Sequence, residues 1–437
     1  MSQRNPSLWT RLPPRSSRSP CDRYKHACCS HSGNVYVLGG RESSCLRDFW
    51  RYSVVLDEWT ELNCTGEAAP EELEGHTMVA HEGFLYVFGG LLDSAYSACR
   101  CALWVFDIAK QKWVRRQEKS SLQKLTPTNR KSHSAVVLGS AMLMYGGFVD
   151  MKGTSPDFWS LDFDTMAWSL LSGSQQDSLG PGPRHSHSAA AYQGCMYLFG
   201  GLKGLREQRD FWKWSSSSHT WSSLRYGPPK LMGHSAVTYK DSMLIFGGGE
   251  TQDCPKNCLW MYSFITQTWV QLTTLPGSSP PDKIHHCCTG LGLSYKPSST
   301  SSSFCCDSGL RPRVMEGKLR PFKNKCVPVP RTFLESDGAI ELKSFAPDKC
   351  LDRKGVRCCS EPQSSREAFM EMGAQKTGSC LTFENKAFRK TWSCSEEVLE
   401  DEDGDIARHL PDLLLVLGGK PCTKTSPISM WQVTLID

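Results

Sequence analysis

Short apolar runs ending in paired glycines punctuate the chain. Residues 35–38 lead into Gly39-Gly40, 85–88 into Gly89-Gly90, 142–145 into Gly146-Gly147 and 196–199 into Gly200-Gly201; 243–246 lead into Gly247-Gly248 and 414–417 into Gly418-Gly419. Four apolar residues bounded by turn formers predict a buried strand, being too short for a helix. The first glycines are spaced by 50, 57, 54 and 47 residues, and then by 171. Two tryptophans follow each of the first five pairs, nine residues apart every time: Trp50/Trp59, Trp104/Trp113, Trp159/Trp168, Trp212/Trp221 and Trp260/Trp269. Three residues beyond the second Trp stands Leu62, Leu171, Leu224 or Leu272, with Arg116 as the exception. Upstream, His26, His76, His133, His187, His234 and His286 each open a further apolar run. Each unit reads as four short strands without helical periodicity, so an all-β repeat fold is expected.

The sixth unit is divided. Residues 283–288 open it, 414–419 supply its glycine-pair strand, and Met430-Trp431 its third strand, with no second Trp before the chain stops at Asp437. The missing strand is at the other terminus, where Trp9-Thr10-Arg11-Leu12 has the Trp-x-x-Leu form. An N-terminal strand in the last unit would close a ring and leave no open sheet edge. Twelve of the 14 tryptophans are then placed, leaving Trp214 and Trp392.

This recurrence resembles the kelch repeat. The resemblance rests on the Arg-x-x-His openings (Arg23-His26, Arg130-His133, Arg184-His187), the strands ending in Gly-Gly and the spaced Trp pairs, over roughly 23–290 plus a C-terminal stretch. It implies a six-bladed kelch-type β-propeller, with four-stranded blades around a central channel. It says far less about activity, because fold and function separate readily. The organisation expected is an N-terminal segment over 1–22 containing the closing strand, repeats over 23–290, a low-order insertion over 294–410, and the remainder of the sixth repeat over 411–437. The insertion is read from composition: 297–303 is mostly Ser and Thr, 311–331 holds seven basic residues against one acidic, and 396–405 holds seven acidic and no basic residues. Such long stretches within a compact domain are usually functional or disordered.

Composition narrows the function. Charge is nearly balanced, 50 basic against 45 acidic residues, which gives no case for a nucleic-acid binder. No apolar run is long enough for a membrane helix, and the Arg-containing N-terminus lacks the apolar core of a secretory leader. Twenty-one cysteines, an odd number in a long chain, read as free thiols in a reducing compartment. The expected location is the cytoplasm, with the nucleus as a second compartment.

Candidate chemistry is sparse. The six histidines recur one per unit and would be spread around a ring, whereas a catalytic site needs convergent groups, so they read as structural. Cys28-Cys29 occupies positions filled by Ala135-Val136, Ala189-Ala190 and Ala236-Val237 in sister units, as small apolar residues. Cys287-Cys288 falls at almost the same place, while Cys99-x-Cys101 and Cys254-x3-Cys258 lack the second ligand pair of a zinc site. No metal or cofactor is expected. The glycine pairs lack the Gly-Lys-Ser/Thr of a phosphate loop, and no Gly-x-Ser-x-Gly elbow occurs. The enzyme alternative is a secreted-type copper radical oxidase on a kelch-type propeller; it requires Tyr and His ligands with a Tyr–Cys crosslink, and here those residues are taken up by blade positions.

The expectation is therefore a non-enzymatic protein-interaction module. In a kelch-type propeller the loops after each Gly-Gly and the loops between blades share one face, and here they carry Arg23, Arg41, Arg130, Lys131, Arg184, Lys203, Arg206 and Arg209. A basic rim suits capture of an acidic or C-terminal peptide segment. The family resemblance also implies substrate recognition for a ubiquitin ligase. From that pattern the sequence departs: about 20 residues precede Arg23, with no BTB-like or F-box-like helical region, and no Leu has Cys four residues later as an elongin-binding box requires.

Overall fold

The computed structural model describes residues 8–13, 18–91, 102–115, 125–172, 180–225, 227–275, 277–278, 280–295, 410–422 and 426–435. All belong to one compact unit, 1–302 with 397–437. They form six four-stranded antiparallel sheets and two small hairpins. Numbering strands A to D from the channel outwards, blade 1 comprises Ala27–His31, Asn34–Leu38, Phe49–Ser53 and Glu58–Leu62. Blades 2 to 5 repeat it, and their A strands are Thr77–His81, Ser134–Leu138, Ser188–Tyr192 and Ser235–Tyr239. The A strands pack against one another in a closed circuit, from blade 1 round to blade 6 and back. The six-bladed propeller read from the sequence is the fold.

Blade 6 has four strands drawn from distant parts of the chain: Cys287–Leu291, Leu413–Leu417, Met430–Thr434 and, outermost, Leu8–Arg11. The N-terminal strand pairs antiparallel with the third strand, Trp9 opposite Val433 and Arg11 opposite Trp431. The interruption replaces the turn between strands A and B, which in blade 1 is only Ser32-Gly33. Its expected limits, 294–410, overlap the propeller at both edges. The Ser294 amide and hydroxyl both donate to the Asp412 carboxylate, Tyr295 packs on Tyr239, and Leu410 is buried, so the two ends are clamped within the blade. Residues 296–409, on which the reading of low order falls, lie outside the described residues.

The apolar core lies in the seams between blades, one cluster per seam. The residue just before each Gly-Gly packs under the D-strand Trp of the next blade. Ring centroids are 5.1 Å apart for Phe88 and Trp168, 5.2 Å for Tyr145 and Trp221, 5.6 Å for Phe199 and Trp269, and 4.9 Å for Phe246 and Trp9. The same ring meets the next blade's histidine edge-on: Phe88 with His133, Tyr145 with His187, Phe199 with His234 and Phe246 with His286. Trp and His therefore recur because each blade must present both to its predecessor. Trp9 fills this role for blade 6, which is why a segment so remote in sequence is held there. Trp9→Ala should cost about 3–5 kcal/mol, the usual range for emptying a buried aromatic site. Denaturant unfolding of the variant checks this, and an unchanged midpoint would contradict the closure.

Burial of the ring histidines generates a pH dependence. Burial, reinforced by neighbouring positive groups, lowers His76 and His286 to about 3 and holds His133 and His187 well below their ordinary value. Burial alone lowers His234 to about 4. In the unfolded chain each titrates near 6.5. As pH falls below that value the unfolded chain takes up protons that the folded ring refuses, so stability is complete above about pH 7 and declines towards pH 4. Each histidine contributes up to about 1.4 kcal/mol per pH unit in that window. The unfolding free energy should fall steeply between pH 7 and 5, and His76→Leu should reduce the slope by about one proton. A flat profile would show that the imidazoles accept protons in place.

Candidate partner-binding face

The loops after each Gly-Gly and those entering the next A strand are tied together by short antiparallel bridges. Tyr24 pairs with Arg41, Leu73 with Leu91, Lys131 with Phe148, His185 with Leu202, Met232 with Gly249 and Ile284 with Lys420. Both loop sets thus emerge on one face, as expected. The channel mouth there is a closed cycle of six backbone hydrogen bonds. The amides of Lys25, Gly75, Ser132, Ser186, Gly233 and His285 each donate to the carbonyl of the member one blade back, and Lys25 donates to His285. At the channel mouth an open cavity of about 100 Å³ is lined by the six strand-opening histidines.

The eight basic residues picked out in the sequence divide into two groups. Arg23, Arg130 and Arg184 are completely buried and are not surface contacts, which corrects the expectation for these three. Nη1 of each donates to the carbonyl of the first paired glycine of its own blade: Gly39 at 3.1 Å, Gly146 at 3.0 Å and Gly200 at 3.0 Å. Each also grips an aspartate. Arg23 is bidentate on Asp48 at 2.6 and 2.7 Å, Arg184 is bidentate on Asp210 at 2.8 Å twice, and Arg130 reaches Asp157 at 3.3 Å. Burial disfavours ionised Asp48 and Asp210, but the arginine hydrogen bonds and charge outweigh it and hold both below the usual carboxylate range. Trp50 and Trp212 donate Nε1 to the same carboxylates. Lys283 takes the arginine's place in blade 6, donating to the Gly419 and Pro421 carbonyls. These groups brace the two loops of one blade against each other.

The sequence held a signal for this. The units with Arg at the opening position carry Asp two residues before their first Trp. The units with Leu73 and Leu231 there carry Ala102 and Cys258 instead. Arginine and aspartate come and go together, as buried partners must.

Arg41, Lys131, Lys203, Arg206 and Arg209 remain at the surface. Arg41 is half-exposed and shares Glu74 with Lys25, at 3.1 and 3.8 Å. Lys131 lies 3.9 Å from Asp150. Lys203 and Arg206 face each other across the hairpin Leu202–Lys203 and Arg206–Glu207 of blade 4, with Arg209 exposed just beyond it. Blade 3 has the matching hairpin, Phe148–Val149 with Gly153–Thr154. Reciprocal backbone bonds anchor each hairpin, Lys131 with Phe148 and His185 with Leu202, and the Phe148 and His185 rings meet edge-on. The tips carry Met151, 93% exposed, and Leu205, 95% exposed. These apolar tips were missed because they interrupt polar loops as single residues. The readable signal was the short Gly-containing turn in both loops, at 150–153 and 203–206.

Electrostatically the mouth is basic and holds neutral imidazoles. Burial with Lys25 nearby lowers His185, and burial with Lys25 and Lys420 lowers His285 to about 3. Among the described residues, no three His, Cys, Asp or Glu side chains converge as a metal site would need. Cys99 and Cys101 lie outside them, whereas Cys254 and Cys258 are free thiols. No helix among them is long and apolar enough to cross a membrane.

Comparison with known proteins agrees with this geometry. A family profile described as the KLHDC2/KLHL20/DRC7 Kelch-repeats domain matches residues 4–124 and 75–294. Host cell factor 1 of Rattus norvegicus is 33% identical over 126 residues, covering 25% of this chain and 6% of that protein. Host cell factor 2 of Homo sapiens is 32% identical over 121 residues, covering 24% and 15%, and Kelch domain-containing protein 3 of Bos taurus 26% identical over 186 residues, covering 29% and 47%. The chain thus spans less than half the length of these relatives. Six blades with paired glycines, ringed histidines and spaced tryptophans, matched by that profile over most of the propeller, place this chain in the kelch-repeat family.

Proposed function

We propose that the chain is a non-enzymatic protein-interaction module that docks a partner segment on its loop-rich face, across the hairpins of blades 3 and 4. The observation that carries this reading is the pair of bonded hairpins holding Met151 and Leu205 out into solvent among Lys131, Lys152, Lys203, Arg206 and Arg209. Loops on a rigid scaffold are where recognition usually sits, and an apolar contact ringed by charge is the common anatomy of such a surface. The basic ring favours an acidic segment or one ending in a free carboxylate, because complementary charge raises the association rate and fixes orientation. The finer form of the proposal is substrate recognition for a ubiquitin ligase, with cytoplasm and nucleus as the compartments; it adds to the docked segment a second contact, to an adaptor.

A display library of peptides with free C-termini, panned against the full chain, tests the docking face. Enrichment of acidic or carboxylate-terminated sequences is expected. Met151→Asp with Leu205→Asp should weaken the enriched peptides at least tenfold, and Lys203→Glu with Arg206→Glu should weaken them with a loss of salt dependence. All four positions are exposed, so melting should hardly move. Peptides that bind both variants as they bind the parent chain, or no enrichment at all, would overturn the proposal.

A further inference from the structure

Each of the six residues joined in the hydrogen-bonded cycle at the channel mouth has a positive φ: Lys25 54°, Gly75 67°, Ser132 56°, Ser186 56°, Gly233 63° and His285 56°. The cycle imposes this left-handed conformation, in which glycine is unstrained and other residues are not. Gly75 and Gly233 show that the cycle closes with glycine. Lysine, histidine and two serines hold the other four positions against that preference. Backbone strain kept in this way marks side chains put to use.

These side chains converge. Backbones joined by a hydrogen bond lie about 5 Å apart, so a cycle of six is about 10 Å across. A Cβ on Gly75 would fall 3.2 Å from Ser132 Oγ, and one on Gly233 2.8 Å from His285 Nδ1. The two glycines thus make room for the hydroxyl and the imidazole of the blades that follow them. Lys25, Ser132, Ser186 and His285 all line the cavity of about 100 Å³ at the mouth. His185 Nδ1 lies 3.0 Å from Ser186 Oγ and orients that hydroxyl. Lys25 and Arg41 share the Glu74 carboxylate, and Lys420, its Nζ 4.3 Å from the centre of the Tyr24 ring, adds a third cation. Positive charge is therefore in excess beside the cavity.

We propose that the channel mouth binds a dianionic phosphate group, as free phosphate or a phosphate monoester, through Lys25 Nζ, the Ser132 and Ser186 hydroxyls and the imidazole N–H of His285. Point donors contributed by four blades around one axis suit the three terminal oxygens of a phosphate entering end-on. A carboxylate is planar and is matched by an arginine fork, and no arginine is among the described residues that line the cavity. Met151 and Leu205 do not line it either, so the site stands independently of the docking surface on the hairpins.

Isothermal titration calorimetry of the full chain with inorganic phosphate, glycerol 2-phosphate and acetate, at equal ionic strength, tests the site. At least one of the phosphates should bind tenfold or more tightly than acetate, and the tighter of the two identifies the source. Lys25→Gly should weaken that binding at least tenfold without lowering the melting temperature, because glycine relieves the left-handed strain. Lys110→Gln removes the same charge at the turn between strands C and D of blade 2, and should bind as the parent chain does. No binding of either phosphate, or acetate binding as tightly, would overturn the proposal. So would undiminished binding by Lys25→Gly, or a lower melting temperature for that variant, which would make the lysine structural.

Discussion

Everything in this propeller hangs on how closely one blade approaches the next beneath the paired glycines. At Gly146 a Cβ would fall 2.5 Å from the Arg184 carbonyl oxygen and 3.0 Å from the His187 ring, both in the following blade; at Gly147 it would fall 2.8 Å from His133 of its own blade. Both residues also have positive φ, 69° and 96°, where any other side chain is strained. The close approach lets the Gly147 amide donate to the Arg184 carbonyl at 2.8 Å. The same bond recurs from Gly40 to Leu73, Gly90 to Arg130, Gly201 to Leu231, Gly248 to Lys283 and, closing the ring, Gly419 to Arg23. Six such bonds and the cycle at the channel mouth make two concentric hoops of backbone hydrogen bonds.

The braces follow from these hoops. A carbonyl already accepting the amide of the preceding blade belongs to the residue whose side chain ties down its own blade's loop. Arg23, Arg130 and Arg184 therefore connect a seam to a loop, and burial of their charge is balanced by a paired aspartate. A buried pair of this kind contributes geometry more than net stability. What it positions is the base of the loops, including the two hairpins of blades 3 and 4. The chain ends obey the same rule: Trp9 is fixed against Phe246 because that seam, like the others, requires a tryptophan on its outer strand.

The blade count, the strand order and the N-terminal closure were legible because each leaves a repeated mark, and repetition separates signal from composition. The histidines were legible as structural for the same reason. The arginines were misplaced because a residue four positions before a strand start looks like a loop residue; only their co-occurrence with Asp48, Asp157 and Asp210 betrays burial. The hairpin tips could not be read in one dimension. Met151 and Leu205 matter through exposure.

Closure of the ring by backbone hydrogen bonds is the central claim, and amide hydrogen exchange on the folded chain measures it directly. The amides of Gly40, Gly90, Gly147, Gly201, Gly248 and Gly419 should all exchange only through global opening, with protection free energies agreeing to within about 1 kcal/mol. Rapid exchange at Gly419 beside continued protection at the other five would mean that the seam between blades 6 and 1 opens by itself, and would contradict a closed ring.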